Sequence, residues 1–72
     1  MIAKVLVHSA SGRSCKTVAS CATLDEARTV ARQLRDGEEE MPFRRHGSVS
    51  IWYAGEFWDG VSQRELATWE PR

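Results

Sequence analysis

Seventy-two residues suffice for one domain, and a chain this short buries only about 60% of its unfolded surface, so its core is thin. Ten Lys and Arg balance ten Asp and Glu, which excludes recognition of nucleic acid through a global basic field. No apolar run approaches a membrane span, and Met1-Ile2-Ala3-Lys4-Val5-Leu6-Val7 lacks a signal-peptide pattern, so a cytoplasmic location is expected.

The chain divides into a β-hairpin over 1–22, a helix over 23–36, a connector over 37–47, a second strand unit over 48–61 and a tail over 62–72. In the first strand Ala3, Val5 and Val7 point one way, while Ile2, Lys4, Leu6 and His8 point the other. A second strand runs from Cys15 to Ala22. The turn between them predicts a three-residue loop, Ala10-Ser11-Gly12, with glycine at the left-handed position. Ser9 then faces Arg13, Val7 faces Cys15, Val5 faces Thr17 and Ala3 faces Ala19, with Lys4, Leu6, His8, Lys16, Val18 and Ser20 on the other side.

Cys15 and Cys21 lack zinc-type spacing, and on one strand they stand about 20 Å apart, beyond the ~7 Å reach of a disulfide. They are expected to be reduced and structural, with no metal bound.

Thr23-Leu24-Asp25-Glu26 is a capping box that opens the helix, and Leu24, Ala27, Val30, Ala31 and Leu34 form its apolar stripe. Asp25 and Glu26 suit the positive end of the dipole, Arg32 and Arg35 the negative end, and Gly37 is the stop. The connector passes from Glu38-Glu39-Glu40 to Arg44-Arg45, a pattern that a solvated loop explains.

Ser48 to Ala54 alternates as a strand, with Val49, Ile51 and Tyr53 on the core side and Ser50 and Trp52 on the other. Two turn signals follow: the preferred one, Gly55-Glu56, makes Phe57-Trp58 part of a fourth strand, and the other, Asp59-Gly60, extends the third. The tail has two readings. Ser62-Gln63-Arg64-Glu65 is a second capping box that predicts a short helix to Trp69, and the rival is a strand through Leu66 to Trp69.

Enzyme signatures are absent, since no phosphate-cradling glycine loop and no G-x-S-x-G elbow occurs. In the expected register His8 and Cys15 point to opposite faces, which separates the one thiol–imidazole pair, and Glu56 and Asp59 are ordinary turn acids. No catalytic residue and no cofactor is therefore expected.

All six aromatic residues lie in the second half of the chain. Most supply bulk that the small residues of the first half lack. Trp52 does not, because its parity places it with Leu6, Val18, Lys4 and Lys16 on the face that a single helix leaves open. A tryptophan among cations is a typical interface anchor, and a tail folding back with Trp69 is the alternative cover. The second candidate surface is the ridge of Arg28, Arg32 and Arg35 on the helix, extended by Arg44 and Arg45. The expected partner-binding set is thus Trp52, Trp58, Arg28, Arg32, Arg35, Arg44, Arg45, Lys4 and Lys16.

The β-β-α-β-β layout is carried by Thr23-Leu24-Asp25-Glu26-Ala27-Arg28, Gly47-Ser48-Val49-Ser50-Ile51 and the turn at Gly55 before aromatic residues. It resembles small phage and mobile-element proteins, including some type I anti-CRISPR proteins. The resemblance implies a non-enzymatic inhibitor that occupies the surface of a nucleic-acid-handling complex of the host, such as a CRISPR effector. The alternative is a small RNA- or single-strand-binding module in which Trp52 stacks a base between Lys4 and Lys16.

Overall fold

The computed structural model describes residues 1–37 and 46–66. Strands β1 (Ala3–Ser9) and β2 (Cys15–Cys21) precede the helix α1 (Leu24–Arg35), and β3 (His46–Tyr53) and β4 (Glu56–Asp59) follow it. The strands form one antiparallel sheet in the order β2-β1-β3-β4. The molecule is therefore the small α+β fold that the alternating segments and the capping box predict.

The core lies between α1 and one face of the sheet. Ala3, Val5, Val7 and Ile51 meet Ala27, Ala31 and Leu34, and all seven are buried. The helix alanines allow a close approach to the sheet, and the partly buried Leu24, Val30, Val49, Tyr53 and Trp58 seal the margin. Thr23 is the N-cap, its Oγ1 accepting from the Glu26 backbone N–H at 3.2 Å, as the capping box requires. At the other end the Asp36 N–H donates to the Arg32 carbonyl at 3.0 Å, and Gly37 turns away with φ +80°.

The first hairpin departs from the expected register. Ser9 pairs with Ser14 through a 2.8 Å backbone bond, so the loop is one residue longer than the three-residue turn predicts. Serine hydroxyls account for the longer loop. Ser9 Oγ accepts from the Ser14 N–H at 3.2 Å, and Ser11 Oγ accepts from the Arg13 N–H at 3.3 Å. The extra residue shifts β2 by one position, which sets Val7 opposite Lys16 and His8 opposite Cys15. A bulge at Val18 then restores the parity, with Val5 opposite Ala19 and Ala3 opposite Cys21. The one-residue slip is tolerable because β2 is an edge strand on which Lys16 stays exposed.

The second hairpin is the tighter one. Tyr53 pairs with Glu56 across a two-residue turn in which Ala54 and Gly55 both have positive φ, +55° and +78°. That pair of angles is a type I′ turn, whose twist matches the flanking strands. After β4 the chain turns at Asp59-Gly60, and residues 64–66 return alongside it. The Asp59 N–H donates to the Arg64 carbonyl at 2.7 Å, the Leu66 N–H donates to the Phe57 carbonyl at 2.8 Å, and Trp58 bridges Glu65. Within the described residues the tail is thus strand-like. The second capping box does not form, because the backbone of Arg64 and Leu66 is bonded to β4, and the Ser62 hydroxyl donates to Asp59 Oδ2 at 2.8 Å.

Candidate functional site

The candidate site is the sheet face turned away from α1. Strand pleating assigns Lys4, Leu6 and His8 to it from β1, Ser50 and Trp52 from β3, and Phe57 from β4. Lys4 is the direct cross-strand neighbour of Trp52, and Phe57 flanks Trp52 on the other side. The Trp52 and Phe57 rings meet edge to face with centroids 4.7 Å apart, a favourable arrangement of their quadrupoles.

The two ends of this face differ in exposure. Trp52 is 38% exposed and Ile2 60%, whereas His8 is 2% exposed and Ser50 1%. Leu6 between them is half-buried. At the closed end His8 Nε2 and Ser50 Oγ form a 2.5 Å hydrogen bond, and Phe57 lies edge-on to the imidazole at 6.1 Å. Burial lowers the pKa of His8, so the neutral ring is the folded form near neutral pH. A serine hydroxyl on an imidazole is the contact that activates a nucleophile, but here both groups are sealed inside the sheet face. Sequence reasoning missed this pair, because nothing in the order of His8 and Ser50 signals that β1 and β3 are neighbours.

His8 and Cys15 share this face as cross-strand partners, which corrects the expectation that they oppose one another. Lys16 moves the other way. It sits opposite Val7 on the helix side, so it does not flank Trp52. The register sets Phe57 beside Trp52 and Trp58 beside Ile51, so Trp58 lies on the helix-side face of the sheet. Trp58 packs against the core, and its indole N–H donates to the Tyr53 carbonyl at 3.2 Å.

The arginine ridge is divided. Arg28 has a side chain only 14% exposed and lies 3.7 Å from the Asp25 carboxylate. With its carbonyl turned toward the helix, the Gln63 amide accepts from Arg28 Nη1 at 3.1 Å and from Nη2 at 3.2 Å. Arg32 Nη2 donates to the Val61 carbonyl at 3.2 Å. These two residues therefore strap the 61–63 segment onto α1. Arg35 is exposed and has no ion pair among the described residues. Arg44 and Arg45 lie outside the described residues, as does Trp69.

Among the described residues no group of three His, Cys, Asp or Glu side chains is placed to hold a metal, and Cys15 and Cys21 are free thiols. No helix among them is long and apolar enough to cross a membrane. No family model, curated protein or solved structure matches the chain.

Proposed function

We propose that this chain is a non-enzymatic interaction domain that docks a partner protein through the open end of the sheet face, with Trp52 as anchor. The observation that carries the reading is the exposure of Trp52, 38%, on a strand whose Val49, Ile51 and Tyr53 are packed in or against the core. Phe57 holds the indole edge to face, so the ring is presented at low entropic cost. Ile2 lengthens the apolar strip and Lys4 supplies one positive charge beside it. The complementary partner is an apolar pocket bordered by a carboxylate. The layout resemblance to type I anti-CRISPR proteins makes a CRISPR effector complex the first partner to test, with inhibition by occupancy as the mechanism.

The alternative, stacking of a nucleic-acid base on Trp52, loses support from the displacement of Lys16 to the helix side. Among the described residues one cation, Lys4, is the cross-strand neighbour of the ring, which makes a weak backbone clamp because each neutralised phosphate adds separately to affinity. The Ser50–His8 pair supports structure in preference to catalysis, since a buried hydroxyl cannot reach a substrate carbonyl.

The test compares capture of purified effector complex by the wild type, Trp52→Ala and Lys4→Glu. Loss of an interface tryptophan costs about 2 kcal/mol or more, or roughly 30-fold in affinity. Both variants should keep the wild-type circular dichroism, because both side chains are exposed. Undiminished capture by Trp52→Ala would remove the sheet face from consideration. A salt-sensitive shift with a single-stranded oligonucleotide, abolished by the same change, would favour the alternative.

A further inference from the structure

A cleft of about 420 Å³ opens on the helix side of the molecule, away from Trp52. Arg35 at the end of α1, Gly47, Ser48 and Val49 of β3, and Asp59, Val61 and Ser62 of the following turn line it. The volume falls within the range of small-ligand sites, roughly 300–1,000 Å³. Val49 and Val61 give it apolar walls, and among the described lining residues Arg35 is the one whose charge is not already engaged.

The two charges in the cleft differ in what they have left to offer. Asp59 is fully committed, with Oδ1 accepting from the Val61 N–H at 2.8 Å and Oδ2 from the Ser62 hydroxyl at 2.8 Å. Those two donors hold its pKa below the ordinary value, so the carboxylate remains charged at neutral pH. Arg35 has no ion pair among the described residues, whereas on the same helix Arg28 is engaged by Asp25 and Gln63 and Arg32 by the Val61 carbonyl. Its forked donors fit a carboxylate in two-pronged fashion.

We infer that this cleft binds a small organic monoanion, a carboxylate on an apolar body, with Arg35 as the anchor and Val49 and Val61 as the apolar walls. The single charge follows from Asp59, which repels any anion that enters and repels a dianion twice as strongly. The site is separate from the sheet face and stands whether or not Trp52 docks a partner.

The experiment titrates the full chain with benzoate and follows the backbone amide resonances. Saturable shifts are expected at Gly47, Ser48, Gly60 and Val61, with the Trp52 indole resonance unmoved. Arg35→Gln should weaken binding by about tenfold or more, with Arg35→Lys falling between the two. Benzamide, of the same shape without the charge, should bind as weakly as benzoate does to Arg35→Gln, and phenyl phosphate should bind less well than benzoate. The inference is overturned if benzoate gives no saturable shift, or if its shifts centre on Trp52. Equal binding by benzamide, or tighter binding by phenyl phosphate, overturns it as well.

Discussion

Gly60→Ala tests how the turn after β4 is closed against the helix. Gly60 is buried, and a Cβ built there would stand 2.9 Å from Ala31 Cβ and 2.9 Å from the Val49 carbonyl oxygen. Neither neighbour is the free end of a flexible side chain. One is a methyl fixed to α1, and the other is backbone in β3 that already accepts from the Gly60 N–H at 3.3 Å. The substitution must push helix and strand apart or stretch that bond. Overpacking of this kind costs about 1–3 kcal/mol. Restricting the unfolded chain returns roughly 0.4–1 kcal/mol, which leaves a net loss near 1–2 kcal/mol. In a domain of this size each kcal/mol moves Tm by about 4–8 °C, so thermal unfolding followed by circular dichroism should show a drop of roughly 5–15 °C. Adding Ala31→Gly removes one of the two close contacts and should restore only part of the loss, since it also costs about 1 kcal/mol in the helix. A Gly60→Ala protein that melts at or above the wild-type temperature would refute the close contact and the packing drawn from it.

Three further outcomes follow from particular residues. Ala54 holds φ +55° in the type I′ turn, so Ala54→Asn should stabilise by about 0.5–1 kcal/mol in urea unfolding, and an unchanged midpoint would count against the turn assignment. Arg28→Ala should destabilise by roughly 1–2 kcal/mol through its lost bonds to Gln63, while Arg35→Ala should stay within about 0.5 kcal/mol, and equal effects would return Arg28 to the solvated ridge. Because burial lowers the His8 pKa, the unfolded state binds the proton more tightly. The His8 contribution is therefore complete above the unfolded value of about 6.5 and declines as pH falls from there toward the folded pKa. Replacing His8 with Gln should flatten that part of the stability–pH curve, and an unaltered slope would show that His8 does not cause it.

The fold was legible because each element carries a local signal. The capping box at Thr23, the alanine-rich stripe and Gly37 bound the helix from nearby residues alone. Val49, Ile51 and Tyr53 alternate cleanly, and Gly55 marks the turn that makes Phe57-Trp58 a strand. The tail was ambiguous for a physical reason. The capping box at Ser62 is a local signal for a helix, whereas the bonds of Arg64 and Leu66 to β4 and of the Ser62 hydroxyl to Asp59 Oδ2 at 2.8 Å exist only once the fold brings the segments together. The candidate site was half legible. The parity of Trp52 in β3 announced an outward tryptophan, and Lys4 beside it followed from the alternation of β1.

What the sequence determined by itself is whatever depends on neighbours within a turn or two, namely the helix and its caps, the strand faces of β1 and β3, and the exposed setting of Trp52. Tertiary structure decided everything that depends on pairing between distant segments. Serine hydroxyls lengthened the first loop by one residue, which carried Lys16 to the helix side and Cys15 to the side of His8 until the Val18 bulge restored the parity. The adjacency of β1 and β3 brought His8 against Ser50, forty-two positions away. The return of residues 61–63 across α1 turned Arg28 and Arg32 from a surface ridge into a strap and left Arg35 beside the cleft. A side chain's period along its own strand or helix is a local property, whereas its partner across the sheet is set by loop length and bulges, which shift the whole register by single residues.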